Sequence, residues 1–131
     1  MERILENVNP CFDFEIVPLL QKDSTELTDS DREKIYATCL NTDATKIIIT
    51  HGTDTMIETA TKLADIKNKT IILTGSMRPE RFTNSDASFN IGVAVGAANM
   101  LDEGIYIAMN GRLYPYNSVK RDLETGQFVG M

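Results

Sequence analysis

The chain is predicted to be an α/β protein, built as a doubly wound, mostly parallel sheet with helices on both faces. Short runs rich in β-branched and other apolar residues alternate along the chain with segments of helical length and periodicity. The strand-like runs are apolar at consecutive positions, which is typical of parallel strands buried on both faces. Turn residues separate these segments. The length of 131 residues suits one domain spanning residues 1–131.

Composition narrows the class of protein. Hydrophobic residues make up 42% of the chain and charged residues 24%, which favours a folded core over disorder. The net charge of −6 argues against nucleic acid as a partner. The sequence has no apolar run long enough for a membrane span and no signal peptide at its acidic N-terminus, so no membrane partner and a cytoplasmic location are expected.

Cysteine and histidine are scarce. Cys11 and Cys39 lie far apart without a CxxC pattern, and His51 is the only histidine. These residues form neither a disulfide framework nor a zinc motif. We expect Cys39 to pack inside a helix, and we expect neither a metal nor a cofactor.

The first third of the chain predicts helix, strand and helix. Residues 2–8 predict a short helix that Asn9-Pro10 ends. Residues 12–20 predict a strand, which Pro18 restricts to an edge or a strand end. The acidic turn Thr28-Asp29-Ser30-Asp31 opens a helix that runs to about Asn41. Its expected buried residues are Ile35, Tyr36, Cys39 and Leu40.

The remaining elements alternate regularly. Strands are predicted at residues 46–50, 70–74 and 105–109, and helices at residues 54–66 and 87–101. The loop from residue 77 to residue 86 is long for a strand-to-helix connection, as functional loops often are. Asn110-Gly111 predicts a tight turn, and residues 112–131 are read as irregular or short extended pieces.

The stretch Ile47-Ile48-Ile49-Thr50-His51-Gly52-Thr53-Asp54-Thr55 predicts a buried strand, a polar turn and a helix N-terminus. Gly52 permits a tight turn, and Thr53 or Asp54 can cap the following helix. Ligands of open α/β sheets bind at the carboxyl ends of strands, and a helix N-terminus there favours negative charge. A hydroxyl, a carboxylate and free N–H groups suit a small zwitterion or an acyl-transfer site. The alternative is that Thr53 and Asp54 only cap the helix.

A second turn of the same build follows at Gly75-Ser76, after the strand at residues 70–74. Parallel strands share one direction, so both turns are expected at the same edge of the sheet. This convergence is the physical argument for a site. We expect Thr53 and Ser76 to lie close together in one hollow.

Three motifs carry a resemblance to a known family. They are Thr50-His51-Gly52-Thr53-Asp54-Thr55-Met56, Leu73-Thr74-Gly75-Ser76-Met77-Arg78-Pro79 and Ser85-Asp86-Ala87-Ser88-Phe89-Asn90. In order and spacing they resemble bacterial-type L-asparaginases and glutaminase-asparaginases, and the related amidotransferase subunit that acts on misacylated tRNA. The resemblance extends from about residue 12 to residue 121.

The resemblance implies site roles. Thr53 matches the second catalytic threonine, Asp54 the carboxylate that holds the substrate α-ammonium, and Lys120 the catalytic lysine. Ser24 matches the serine that receives the substrate carboxylate, and Ser76 the position whose backbone approaches the leaving amide; Gly52 belongs to the same binding turn. Without the resemblance, Lys120 would be read as a surface charge.

The implied activity is hydrolysis of L-asparagine, or of L-glutamine, to the acid and ammonia through a threonine acyl-enzyme. The alternative is a non-catalytic amino-acid-binding domain of the same fold. A homo-oligomer, dimer or tetramer, is expected, since these enzymes assemble with their sites near subunit interfaces.

Two family features have no match in this sequence. Family members begin with a strand ending in Thr-Gly-Gly-Thr, whose threonine is the primary nucleophile, and full-size members carry a second domain. We expect this chain alone to be weak or inactive, and we expect the functional protein to have residues before Met1 that supply the missing central strand. A native mass equal to the 14.6 kDa of this chain would contradict that expectation.

Overall fold

The computed structural model describes residues 4–6, 10–20, 22–77 and 85–131. Its helices are α1 (Asp29–Asn41), α2 (Met56–Lys62) and α3 (Ala87–Met100), with 3₁₀ turns at Ser24–Glu26 and Tyr116–Ser118. Its strands are β1 (Lys46–Thr50), β2 (Thr70–Thr74), β3 (Gly104–Met109), β4 (Arg112–Pro115), β5 (Val119–Arg121) and β6 (Phe128–Gly130). Residues 4–6 are also helical.

The main sheet has the order β1-β2-β3-β4. The first three strands are parallel, and β4 runs antiparallel to β3. The turn between β3 and β4 has positive φ at both central residues, 56° at Asn110 and 76° at Gly111, as a tight hairpin of this kind requires. The predicted mostly parallel α/β sheet and its Asn-Gly turn are therefore confirmed.

Helices cover both faces of this sheet. Helices α1 and α2 pack against Ile71, Leu73 and Ile107 on one face, with Met56 and Leu63 at the centre of the cluster. Helix α3 packs its alanines against the other face, which presents Ile72 and Ala108. Since β1, β2 and β3 follow one another in the same direction, successive right-handed crossovers would place α2 and α3 on the same face. One of the two crossovers is consequently left-handed, the rare hand.

Helix α1 begins with a capping box. The Thr28 hydroxyl accepts from the Asp31 N–H, and the Asp31 side chain accepts from the Thr28 N–H, which satisfies two N–H groups at this end. Ile35 and Cys39 are buried as predicted. The expectation for Leu40 was wrong: its side chain is 48% exposed, because the helix turns it away from the sheet.

Several predicted boundaries change. The helix predicted over residues 54–66 is ordered as an α-helix only from Met56 to Lys62, while the strands at residues 46–50 and 70–74 match their predictions. Residues 112–131 form three short strands and a 3₁₀ turn. Most of the helix predicted over residues 2–8 and most of the long loop after Met77, with Arg78 and Pro79, lie outside the described residues.

Residues 12–20 form no strand, contrary to the prediction. An extended segment becomes a strand only when its backbone pairs with a neighbour. Here the segment and β1 line the two sides of one cavity. Leu19 and Leu20 pack against the core, whereas Phe12 and Phe14 touch edge to face and remain 40% and 42% exposed.

None of the described helices has both the length and the apolar composition needed to span a membrane.

Candidate functional site

The turn that follows β1 is held by its surroundings, not by helix capping. Thr55 is the N-cap residue of α2 and makes no side-chain capping bond. Its hydroxyl donates instead to the backbone oxygen of Ser24 at 2.9 Å. The expectation that Thr53 or Asp54 caps this helix was therefore wrong. Thr53 and Asp54 both precede the N-cap residue, and neither side chain makes a capping hydrogen bond to α2.

Ser24 and Gly52 lie against each other. A Cβ added to Gly52 would come within 2.8 Å of both the Cβ and the Oγ of Ser24, so only glycine fits at this position. The φ angle of Gly52 lies outside the positive region, so the reason for glycine is close approach and not the turn conformation expected from the sequence. The Ser24 side chain is buried, and among the described residues its Oγ has no hydrogen-bond partner. Burying a hydroxyl in this way costs about 1–3 kcal/mol unless a ligand or water completes it.

The second predicted turn touches the first. A Cβ on Gly75 would lie 2.2 Å from the backbone oxygen of His51, closer than any real contact. Asn90 of α3 donates to the Gly75 oxygen at 2.8 Å and to the Asp86 carboxylate at 3.0 Å. The Met77 N–H also donates to the Asp86 carboxylate at 3.0 Å. The predicted convergence of the two strand ends is thus present in the structure.

His51 holds the turn after β1 through hydrogen bonds of both ring nitrogens. Its Nδ1 lies 2.6 Å from the Gly52 oxygen, which can only accept, so Nδ1 carries the hydrogen. Its Nε2 then accepts from the Thr59 hydroxyl at 2.8 Å, and that hydroxyl oxygen accepts from Nε of Arg32 at 3.1 Å. Burial lowers the pKa of His51, and the nearby Arg32 charge lowers it further, against the opposing effect of the Gly52 hydrogen bond. The imidazole is therefore held neutral in a defined tautomer.

Arg121 holds the same turn from the side of β5. Its Nη1 donates to the Thr53 oxygen at 2.9 Å and lies 4.0 Å from the Asp54 carboxylate. Its Nε donates to the Gly126 oxygen at 2.8 Å, and its guanidinium carbon lies 4.8 Å from the centre of the Phe128 ring. The guanidinium is thereby fixed in one orientation, and it fixes the backbone of Thr53.

Lys120 differs from the expectation. It is exposed, and no hydrogen bond or ion pair within the described ranges joins it to Thr53 or Asp54. Successive side chains of a strand point to opposite sides, so Lys120 lies on the side of β5 opposite to Arg121. In this structure Arg121 is the basic side chain that reaches the turn.

A cavity of about 980 Å³ opens beside these turns. Gly52, Gly75 and Ser76 lie at its end, where β1 and β2 finish. The Asp54 side chain, two residues after Gly52 in the chain, is 60% exposed, so a cation can approach it from solvent. No group of three histidine, cysteine or acidic residues in the described part of the chain could hold a metal ion. The arrangement suits a small molecule that carries an ammonium and a polar group.

Of the predicted site residues, Ser24 packs against Gly52, and Gly52 and Ser76 line the same cavity. Arg121 contacts both Thr53 and Asp54. Neither Thr53 nor Lys120 is among the residues that line the cavity, so the predicted closeness of Thr53 and Ser76 in one hollow and the role implied for Lys120 stay predictions.

Comparison with known proteins identifies the family. The family model of the asparaginase N-terminal domain matches residues 1–126. The chain belongs to the asparaginase family. Among the similar proteins of this family, a glutaminase-asparaginase of Pseudomonas aeruginosa is 32% identical over 117 residues, covering 86% of this chain and 29% of that protein. A glutaminase-asparaginase of Acinetobacter glutaminasificans is 36% identical over 90 residues, which cover 63% of this chain and 27% of that protein.

Two further similarities extend the comparison. A glutamyl-tRNA(Gln) amidotransferase subunit of Methanococcus maripaludis is 45% identical over 67 residues, or 50% of this chain and 16% of that protein. The crystal structure of a probable cytoplasmic L-asparaginase from Campylobacter jejuni matches with a TM-score of 0.84 and 23% identity, covering 98% of this chain and 44% of that chain. The structural match establishes the shared asparaginase-type fold. This chain spans less than a third of each of these three curated relatives.

The sequence motifs did not point to Arg121, Arg32 or Thr59, although all three hold the turn of this asparaginase-type domain. Arg121 is adjacent to Lys120, the residue that the resemblance implied, and only the register of β5 distinguishes the two. Arg32 and Thr59 lie on different helices, and no local pattern links residues 27 positions apart. Asn90 did carry a signal, as the last residue of the third motif.

Proposed function

We propose that this chain is an asparaginase-type amidohydrolase domain whose turn after β1 binds the amino-acid part of L-asparagine, and of L-glutamine as the second substrate. Asp54 binds the substrate ammonium, Ser24 and the Gly52 backbone receive its carboxylate, and Ser76 lies beside the amide. Thr53 and Lys120 take part in the chemistry. The domain alone has weak turnover or none.

The observation that carries the proposal is the buried Ser24 hydroxyl, which no described residue hydrogen-bonds, packed against Gly52, with an exposed carboxylate two residues further on at Asp54. A buried hydroxyl without a partner among the described residues can donate to a carboxylate, and an exposed aspartate can accept from an ammonium. An α-amino acid presents both groups on one carbon. The family membership of the chain supports the same substrate class.

The chemistry is hydrolysis of a carboxamide. A threonine hydroxyl attacks the amide carbon, the carbon–nitrogen bond breaks and ammonia leaves with the proton, and water then releases the acid from the threonine ester. Thr53 is the hydroxyl that this chain offers at the site. A neutral amine is needed to accept the hydroxyl proton, which is the role proposed for Lys120. Lys120 lies on the side of β5 opposite to Arg121, and the Lys120→Met variant below tests this role directly.

Binding and turnover test the proposal separately. We expect calorimetry to detect binding of L-aspartate and L-asparagine to the chain, and the Asp54→Asn variant to bind about tenfold more weakly or worse, because an ion-paired hydrogen bond is lost. Asp43→Asn is the matched control, since Asp43 is an exposed carboxylate in the loop before β1. Equal loss in both variants, or no binding to the parent chain, would overturn the assignment.

Ammonia release from asparagine and glutamine tests the enzyme. The assay compares this chain with a form extended before Met1 by a strand that ends in Thr-Gly-Gly-Thr. Ammonia release by the extended form, lost in Lys120→Met, supports the hydrolase. The alternative function, an amino-acid-binding domain without catalysis, is favoured by the exposed position of Lys120. It predicts binding that depends on Asp54, with no ammonia from either form.

We further propose that the protein acts in the cytoplasm as a homo-oligomer. The similarity to a probable cytoplasmic L-asparaginase supports the location. No described strand pairs with the outer edge of β1, and this supports association, since an unpaired strand edge invites a partner. Light scattering of the purified chain tests the assembly, and a mass of 14.6 kDa at micromolar concentration would contradict it.

A further inference from the structure

A nearly buried cation, Arg32 of α1, has no part in the function proposed above. Its guanidinium joins α1 to two other segments: Nε donates to the Thr59 hydroxyl of α2 at 3.1 Å, and Nη1 donates to the Leu27 oxygen at 3.4 Å. Its Nη2 lies 3.7 Å from the Glu58 carboxylate, and the Arg32 side chain is 11% exposed. A planar guanidinium with several fixed partners is held in one orientation, so Arg32 is a rigid connection between these segments.

The contact with Leu27 reaches the segment that carries Ser24. The Leu27 N–H donates to the Ser24 oxygen at 3.3 Å and closes the 3₁₀ turn, and the same oxygen accepts from the Thr55 hydroxyl at 2.9 Å. Arg32 thereby holds the end of the segment whose Ser24 side chain packs against Gly52. Displacing Arg32 removes this tie and loosens the packing of Ser24 on Gly52.

Thr59 connects Arg32 to His51. The Thr59 side chain is fully buried, and its hydroxyl has a single hydrogen. Because Arg32 can only donate, the Thr59 oxygen accepts from Arg32, and its hydrogen goes to Nε2 of His51 at 2.8 Å. The Nδ1–H of His51 then donates to the Gly52 oxygen at 2.6 Å. The chain of hydrogen bonds from Arg32 therefore ends on the peptide group that leads into Thr53.

Protonation of His51 breaks this chain of hydrogen bonds. An imidazolium donates from both ring nitrogens, so its Nε2 can no longer accept from Thr59. The Thr59 oxygen would then receive hydrogens from two cations, Arg32 and His51, which lie less than about 6 Å apart across it and repel each other. No carboxylate of a described residue hydrogen-bonds to either ring nitrogen to offset the new charge. Relief of the repulsion requires His51 or Arg32 to move, which releases Gly52 or Leu27.

The other charged groups near His51 do not favour the imidazolium. Glu58 of α2 pairs with Arg32, and Asp54 lies 4.0 Å from Arg121 of β5. Strand β2, whose Thr74 oxygen accepts from the His51 N–H, has no charged residue. Burial lowers the pKa of His51, and the Arg32 charge lowers it further, against the opposing effect of the Gly52 hydrogen bond. The cavity that His51 lines is also lined by exposed charged residues, namely Asp13, Glu15, Lys22 and Lys46.

We propose that Arg32 is a positioning residue of the candidate site, which through Thr59 and His51 confines binding of the amino acid to pH values at which His51 is neutral. This role rests on the amino-acid binding proposed above. Neutral His51 holds the Gly52 carbonyl and Arg32 holds the Ser24 segment, and the imidazolium disrupts both ties at once. Acid therefore weakens binding through the supports of the turn, without a change in the groups that contact the ligand.

Calorimetry of L-asparagine binding to the full chain between pH 4.5 and pH 7.5, with His51 titrated in parallel by nitrogen-15 NMR, tests this role. For the parent chain we expect the affinity to fall about tenfold for each pH unit below the measured pKa of His51, because only the neutral form binds. Arg32→Met keeps the apolar stem and removes the charge that opposes protonation. The His51 titration and the acid limb of binding should then move to higher pH together. Binding at pH 7.5 should also weaken, by about threefold or more, because Leu27 is released.

Two matched variants separate the charge of Arg32 from its geometry. Arg32→Lys keeps the positive charge but cannot bridge Thr59 and Leu27 with one planar fork. Its binding at pH 7.5 should weaken, while its acid limb stays within about 0.3 pH unit of the parent. Lys34→Met removes an exposed positive charge two residues further along α1 and should change neither property. Circular dichroism at each pH checks that every variant is folded.

Two results with Arg32→Met would overturn the proposal. An acid limb that stays in place while the His51 titration moves would show that binding does not depend on the state of His51, and an equal loss of affinity at every pH would show that Arg32 only supports the fold. The parent chain alone also decides the matter: binding without an acid limb at the pKa of His51 overturns the role of Arg32 and leaves the proposed function standing. Absence of L-asparagine binding at any pH overturns both.

Discussion

Gly75→Ala is the most direct test of the contact between the two turns. The added Cβ would lie 2.2 Å from the His51 oxygen, more than 1 Å inside normal contact. Both partners belong to backbone at the ends of paired strands, so neither can rotate away, and the strands themselves must shift. Overpacking of a core costs about 1–3 kcal/mol, and the rigidity of this contact places the expected loss near 3 kcal/mol.

A loss of that size is measurable by thermal and urea denaturation. For a domain of this length, about 3 kcal/mol corresponds to a fall in Tm of roughly 10 °C. The matched control is Gly96→Ala, where a Cβ meets nothing within 4 Å and the residue lies inside α3. That change should stabilise the domain by up to about 1 kcal/mol through helix propensity. If Gly75→Ala were as stable as Gly96→Ala, the two strand ends would not be in contact, and the geometry of the candidate site would be wrong.

Three further variants test the supports of the site and of the fold. Burial lowers the pKa of His51, so the imidazole should titrate below its ordinary value of 6.5 in the folded chain and show the Nδ1–H tautomer by nitrogen-15 NMR. The folded state binds the His51 proton less readily than the unfolded state does. The contribution of neutral His51 to the free energy of unfolding is therefore full above pH 6.5 and declines as the pH falls below it. Arg121→Met removes the donor to the Thr53 oxygen, so aspartate binding should weaken by about tenfold and amide exchange of residues 53–55 should rise. Lys69 donates to the Cys39 oxygen at 2.7 Å and to that of Thr42 at the end of α1, so Lys69→Met should cost about 1–2 kcal/mol in urea denaturation.

Each of these three predictions has a matched control variant. For His51, Thr59→Val removes the hydroxyl at Nε2, and an unchanged titration and tautomer would contradict the described network. Arg112→Met, at an exposed arginine of β4, is the comparison for Arg121 and should leave aspartate binding unchanged. Lys67→Met, at an exposed lysine of the same turn as Lys69, should leave the unfolding free energy within about 0.5 kcal/mol of the parent.

The sequence predicted the parts of the fold that depend on local periodicity. The strands at residues 46–50 and 70–74 are apolar at consecutive positions because both faces of the sheet are covered, and that covering is itself visible in the pattern. The segment at residues 12–20 also contains several apolar residues, but it pairs with no strand in the described part of the chain. Strand formation depends on the partner as well as the segment, and single-segment patterns contain no information about partners.

The handedness of the crossovers could not be predicted from the sequence either, because no local pattern shows which face of the sheet a helix covers. The rule that crossovers are right-handed would have placed α2 and α3 on one face, yet they cover opposite faces. The small residues of α3 allow close packing on either face. The face of the sheet that α3 covers therefore depends on the packing of the whole sheet, and the right-handed crossover rule fails in this domain.

The candidate site was predictable where glycines and motif residues mark it, and not where distant residues meet. Gly52 and Gly75 are required by contacts with Ser24 and His51, and their place in strand-ending motifs made the convergence foreseeable. Arg121 was missed because the resemblance indicated only the vicinity of a basic residue, whereas the register of β5 decides which of two neighbouring side chains reaches the turn.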